Sequence, residues 1–298
     1  GDSEAYCNQK GIFPAREAVV MQQQDRGVMD VTAEQVFIGN GVSELIDLTL
    51  RALLNEGDEV LIPSPDYPLW TAATTLNGGK PIHYVCEESN GFMPDPATVA
   101  DLITARTRAI VIINPNNPTG SVYSRECLTE LAMLADEHDL IVLSDEIYDQ
   151  MLYDDAEFVP MATLCKSSLC GTFSGLSKVY RACGYRVGWV SFSGPLNRCG
   201  EFINAMDLLA ALRLCSNVPG QWAVQTALGG YQSVNNLCLP GGRLYESRRA
   251  LQNGVEASDY LNVVVPRGSM YAFLGVNTDK LPAFDDENFA LELLEKQH

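Results

Sequence analysis

Short, continuously apolar runs rich in β-branched residues recur along this chain: QVFI (35–38), EVLIP (59–63), PIHYV (81–85), AIVII (109–113), LIVLS (140–144) and VGWVSF (187–192). A strand that is apolar at nearly every position, rather than at alternate ones, is buried on both faces. The segments between these runs show helical periodicity. From Ser43 to Leu54, residues Ile46, Leu50, Leu53 and Leu54 share one face, with Ser43 placed as N-terminal cap or first-turn residue. Ser124 to His138 likewise aligns Leu128, Leu131, Ala132 and Ala135. Alternating strands and helices predict an α/β fold, a three-layer large domain with a mostly parallel sheet between helices. At 298 residues, 46% of them hydrophobic, the chain exceeds one ordinary domain. Pro240-Gly241-Gly242 breaks the pattern and puts a boundary in 234–242. The expected division is a large domain over 1–235 and part of a small C-terminal α+β domain over 236–298. There PRGSMYAFLGV (266–276) reads as a strand and Asp286–Lys296 as an amphipathic helix.

Charge narrows the function classes. A formal net charge of −18 opposes nucleic-acid binding, which needs a basic footprint. No apolar run reaches the ~20 residues of a membrane helix, and GDSEAYCNQKG lacks the basic and apolar regions of a signal peptide. The nine cysteines are scattered, without a CxxC pair, and read as buried, reduced thiols of a cytoplasmic protein. His83, His138 and His298 are isolated and lack metal-ligand spacing, so no metal site is expected. Trp70 and Trp189 read as core, and Asp154, Asp155 and Glu157 as a solvated acidic loop.

In open α/β sheets ligands bind beyond the carboxyl ends of the strands. Four polar clusters fall there: Gly39–Ser43, NPNNPTG (114–120), DEIY (145–148) and Ser174–Lys178. Each has a plain and a functional reading. GNGVSE is either a turn or a helix start offering N–H groups to a phosphate, although it matches neither GxGxxG nor a P-loop. NPNNPTG is either a rigid loop or a device that aims a side-chain amide. Asp145 either caps the next helix or holds a ring nitrogen protonated, a buried carboxylate being costly without such a partner. Lys178, just after an apolar strand, is either a surface lysine or a nucleophile whose amine burial and nearby Arg186 push toward neutrality.

A phosphate cradle, an Asp for a ring nitrogen, donors for a ring oxygen and a lysine amine are what pyridoxal 5′-phosphate (PLP) requires. NPNNPTG, SDEIYDQMLYDDAEF and SGLSKVYRACGYRVGW resemble the PLP-dependent aminotransferases of fold type I, the class I/II family. The resemblance runs from YCNQKG to the helix at 286–296. Within the family, GNGVSELI, PSPDYPLWTAA and TALGGYQS are most similar to bacterial alanine (glutamate–pyruvate) transaminases.

The resemblance implies roles. Lys178 is the Schiff-base lysine and proton shuttle, and Asp145 pairs with the pyridine nitrogen. Asn117 and Tyr148 donate to the ring oxygen, and Tyr67 stacks on the ring. Arg186 and the backbone N–H groups of Gly41, Val42 and Ser43 hold the phosphate. Tyr6 reaches the phosphate site of the partner subunit in a homodimer. The serine common in the family three positions before the lysine is Gly175 here, leaving Ser174 or Ser177 in its stead. Family members continue on both sides, so the chain is expected to be shortened and to lack the C-terminal arginine for the substrate α-carboxylate. Arg243, Arg248, Arg249 and Arg267 do not stand in that motif. Arg213 is out of register for aspartate selectivity. Alanine and 2-oxoglutarate are the expected substrates. The alternatives are a related β-lyase on the same cofactor, or an inactive PLP-binding fragment or regulatory module.

Overall fold

The computed structural model describes residues 3–297, so His298 lies outside the described residues. The first half of the chain runs α1 (Phe13–Asp25), β1 (Val36–Gly39), α2 (Val42–Leu53), β2 (Glu59–Ser64), α3 (Leu69–Leu76), β3 (Lys80–Val85) and α4 (Pro96–Asp101). It continues through β4 (Thr107–Ile113), α5 (Arg125–Glu137), β5 (Ile141–Asp145), β6 (Cys170–Gly175) and β7 (Gly188–Ser193). The remainder is α6 (Gly200–Leu212), α7 (Val218–Gly229), α8 (Val234–Cys238), α9 (Arg243–Glu256), β8 (Leu261–Val263), β9 (Leu274–Val276) and α10 (Asp286–Gln297).

Seven strands form one sheet in the order β1-β7-β6-β5-β4-β2-β3. The pairs β2–β3, β2–β4, β4–β5 and β5–β6 are parallel, and only β7 runs against its neighbours β6 and β1. Apart from the edge strand β3, where Tyr84 alone is fully buried and Val85 is exposed, the apolar runs are buried on both faces. From β4, Val111 and Ile113 join a core with Ile46 and Leu50 of α2 and Trp70 of α3. Ile110 and Ile112 enter the opposite core with Leu128 and Leu131 of α5. A third cluster packs Ala15 and Val19 of α1 and Val224 of α7 against Ile38 and Trp189. The three-layer α/β expectation holds, with strand ends within a residue or two of those read from sequence.

Two readings are corrected, that of the 266–276 segment and that of the thiols. PRGSMYAFLGV is not one strand. Only Leu274–Val276 pairs, antiparallel to Leu261–Val263, while Gly268 makes a single bridge to Leu152. Ser269, at φ 59°, turns the chain between them. Of the two places expected for Ser43 the structure has the second: Gly41 holds the cap position of α2 at φ 89° and Ser43 stands in the first turn. The nine thiols are free, but Cys183 is exposed and Cys7, Cys165, Cys199 and Cys215 are half-buried.

Candidate active site

The carboxyl ends of β1, β4, β5 and β6 lie along one edge of the sheet and converge on a cavity of about 200 Å³. Lys178, Asp145, Tyr148 and Asn117 line it, as do Arg186, Tyr67, Val42 and Ser43. Gly41 stands behind the wall, against Arg186. Tyr6 lies apart with its side chain 78% exposed. Ser177 also faces the cavity, whereas Ser174 is buried in β6 away from it.

Asp145 ends β5 and is 3% exposed. Burial pushes its carboxyl up to about 6, while the Trp70 indole, the Ile147 N–H and the charge of Lys178 pull it back. Trp70 Nε1 donates to Oδ2 at 3.3 Å and Ile147 N to Oδ1 at 3.3 Å. Both bonds fix the carboxylate's direction at the cavity wall. Sequence reading placed Trp70 in the core, which is correct, but missed this bond because it spans two separate elements.

NPNNPTG divides its labour. Asn114 Oδ1 accepts from Tyr123 N at 2.9 Å, and Asn116 Oδ1 accepts from Thr119 N and Oγ1 at 3.1 and 2.8 Å. These two buried amides shape the loop and leave Asn117 facing the cavity. Opposite, Tyr148 Oη lies 2.9 Å from Tyr271 Oη. Tyr271, from residues 266–276, lines the same cavity and was not singled out in the sequence.

The far end of the cavity is cationic. Arg186 adopts φ 51°, a left-handed conformation uncommon outside glycine. Asn217 Nδ2 holds it there, donating to Arg186 O at 3.0 Å and Tyr185 O at 3.1 Å. Asn217 N donates to Asn40 Oδ1 at 2.9 Å, tying Arg186 to the β1–α2 turn. Arg186 Nη1 approaches Ser177 Oγ at 3.5 Å. A Cβ at Gly41 would collide with the guanidinium, so only glycine suits both that contact and the positive φ. The first N–H groups of α2, which have no partner inside the helix, open beside this arginine.

The residues present fit PLP. A buried carboxylate with a raised pKa suits a cationic ring nitrogen, which would return it to the charged form. A guanidinium, a helix start and Ser177 at the other end suit a phosphate.

Arg213, Arg248, Arg249 and Arg267 are engaged elsewhere. Arg248 bonds Asp154 at 2.6 Å and Arg267 bonds Asp155 at 2.6 Å, so those acids, exposed as expected, also brace the 266–268 segment. Arg249 pairs with Glu246. Arg213 Nη1 meets Glu44 Oε2 at 3.4 Å, and its Nη2 donates to Gln9 O and Ile38 O at 3.2 Å each. Among the described residues Arg186 is the one arginine lining the cavity. His83 Nε2 lies 2.9 Å from Thr71 Oγ1.

Residues 1–298 match the family Aminotransferase class I and II. The chain is 49% identical over 292 residues to glutamate–pyruvate aminotransferase AlaA of Escherichia coli strain K12, covering 98% of this chain and 72% of that protein. It is 50% identical over 293 residues to the alanine aminotransferase of Mycobacterium bovis, covering 98% and 68%. The crystal structure of an aminotransferase from Escherichia coli superposes with a TM-score of 0.97 at 48% identity, covering 99% of this chain and 73% of that one. The chain belongs to the class I and II aminotransferases, a PLP-dependent family.

Proposed function

We propose that this protein transfers the amino group of alanine, or a closely related amino acid, to 2-oxoglutarate, the two half-reactions using one site in turn. The observation that carries this reading is the convergence of Lys178, Asp145, Asn117, Tyr148 and Arg186 on one cavity in a chain of this family. The relatives named alanine and glutamate–pyruvate aminotransferase support the choice of substrates.

When bound, the cofactor supplies a ring that accepts electrons released at the substrate α-carbon. The chain's own residues do the rest. Lys178 holds the cofactor through Nζ and afterwards takes and returns the proton at the α-carbon. Asp145, fixed by Trp70 and Ile147, keeps a ring N–H cationic. Asn117 and Tyr148 donate to the ring oxygen, and Tyr67 covers one ring face. Arg186, Ser177 and the N–H groups of Val42 and Ser43 hold the phosphate, with Gly41 admitting the arginine. The engagement of Arg213 with Glu44 and two carbonyls leaves no free guanidinium there for a side-chain carboxylate, which favours alanine over aspartate. The exposure of Tyr6, outside its own chain's cavity, supports a homodimer in which it reaches the partner subunit's phosphate site.

Incubation with alanine and 2-oxoglutarate tests the function. Pyruvate formed with stoichiometric glutamate is the expected result, and Lys178→Ala abolishes both transfer and the cofactor's absorbance band. Failure to turn over alanine, with cysteine converted instead to pyruvate, ammonia and sulfide, would identify elimination, and turnover of aspartate equal to that of alanine would contradict the specificity.

A further inference from the structure

The helix start assigned above to a phosphate already carries an anion. Glu44 stands in the first turn of α2, whose opening residues Val42 and Ser43 line the cavity. An acidic side chain there is drawn to the same positive helix end, with its free N–H groups, as a phosphate. Its carboxylate is built into the turn before the helix. Asn40 N donates to Glu44 Oε2 at 2.7 Å, and Asn40 Nδ2 donates to Oε1 at 3.1 Å. A Cβ on Gly39 would meet Oε2 at 2.9 Å, so glycine there admits the carboxylate. Asn40 also faces the arginine clamp: its carbonyl accepts from Arg186 Nη2 at 3.4 Å. One residue thus separates the Glu44 carboxylate from the guanidinium assigned to the phosphate.

A brace of this kind fixes the turn but sets a negative charge beside a ligand that is itself an anion. Arg213 answers that charge. Its Nη1 stands 3.4 Å from Glu44 Oε2, and among the described residues no other cation pairs with Glu44. Two carbonyls aim the guanidinium, Nη2 donating to Gln9 O and to Ile38 O, at the end of β1. Among the described residues Nη1 makes no hydrogen bond, so what it brings to Glu44 is charge. The Arg213 and Glu44 side chains are 14% and 23% exposed, and salt screens partly buried charges less than exposed ones. Arg213 does not line the cavity, which leaves Glu44 as its means of acting there.

We propose that Arg213 is a positioning residue for the phosphate end of the site. It neutralises Glu44, so that this carboxylate braces the 39–41 turn without repelling a phosphate at the same helix start. The inference rests on the place given to the phosphate in the proposed function.

Cofactor-free protein is titrated by absorbance with PLP and with pyridoxal, the same ring without the phosphate. Arg213→Met removes the charge and keeps an unbranched stem. It weakens PLP about tenfold and pyridoxal about twofold or less, the first being the scale of one like charge near a partly buried site. Arg213→Lys keeps the charge but not the fork, and holds PLP within about threefold of wild type. In a Glu44→Gln background the turn keeps an acceptor and loses the charge. There Arg213→Met changes PLP binding by about twofold or less, because the two residues act as a unit. Four results overturn the inference and leave the proposed function intact. They are PLP affinity unmoved by Arg213→Met, a loss equal for PLP and pyridoxal, the same loss in Arg213→Lys, and the same loss persisting with Glu44→Gln. Wild-type protein that binds PLP no more tightly than pyridoxal overturns the phosphate's place in the proposed function, and the inference with it.

Discussion

Asp145 shows how one buried side chain acquires a task. Burial raises its carboxyl to about 6 even with the Trp70 indole, the Ile147 N–H and the charge of Lys178 pulling it down. Trp70 supplies one donor from α3. Trp70→Phe keeps most of the packing and removes that donor, so the carboxyl pKa rises by about one unit, the value of a lost hydrogen bond to a charged group. Because the ionised form is the working one, the acid limb of the kcat/KM profile moves to higher pH, and a pH–rate series checks it. An acid limb that stays in place would show that the indole does not tune Asp145. Asp145→Asn removes the charge itself and lowers kcat about tenfold to a hundredfold. The candidacy of Asp145 was legible in the sequence, as a carboxylate at the end of an apolar run. The indole bond was not, since a tryptophan in an apolar helix reads only as packing.

Among the elements, the junction of β1, α2 and α7 is held by Asn217. It caps α7, its Oδ1 accepting from Gly220 N at 2.8 Å, and its Nδ2 clasps Tyr185 O and Arg186 O. Asn217→Ala removes these three side-chain bonds and a longer fourth, from Nδ2 to Asn40 Oδ1 at 3.4 Å, but spares the backbone bond to Asn40. Loss of the cap and of the clasp costs about 1–3 kcal/mol of stability. With Arg186 released from its left-handed conformation, cofactor affinity falls about tenfold. Kd by PLP titration, set beside kcat at saturating cofactor, checks this, since the first is expected to suffer more than the second. Elements themselves were read well where periodicity decides them. The apolar β-branched runs became strands, and Ser124 caps α5 by accepting from Cys127 N at 3.2 Å. The 266–276 segment misled because its apolar and aromatic residues fit a strand, while contacts with Gly120, Met151 and Tyr153 fold it into a turn. The antiparallel direction of β7 also follows from partners and not from its own residues.

The chain's surplus of acid reaches its interior. Glu146 and Asp149, both buried, share one half-buried cation, Arg26, which pairs with Asp149. Burial pushes Glu146 from 4.5 up to about 7, against the pull of Arg26, the Met161 N–H and the Ser144 hydroxyl. Burial raises Asp149 as well, opposed by Arg26. A carboxyl whose pKa is raised by folding keeps its proton longer in the native state than in the unfolded one. Stability therefore falls as pH rises from about 4.5 to about 7 and is level beyond, the Glu146 share being about 3 kcal/mol. Glu146→Gln carries no such proton, so its Tm gains on the wild type through that window and runs parallel above it. Thermal unfolding across the range measures this, and curves parallel throughout would count against a protonated Glu146.

The sequence by itself determined that strands alternate with helices, because hydrophobic period and turn residues are local properties. It also determined which chemistry-bearing residues stand at the strand ends. Lys178, Asp145, Asn117, Tyr148 and Arg186 do share one cavity, since a mostly parallel sheet gathers such ends on one edge. Only the tertiary structure decided that Ser177 rather than Ser174 faces the cavity, that Arg213 is spent on Glu44, and that Trp70, Asn217 and Tyr271 brace the residues around them. Those contacts join residues far apart in the chain. Their distances are set by how whole elements pack, which no local pattern of residues records.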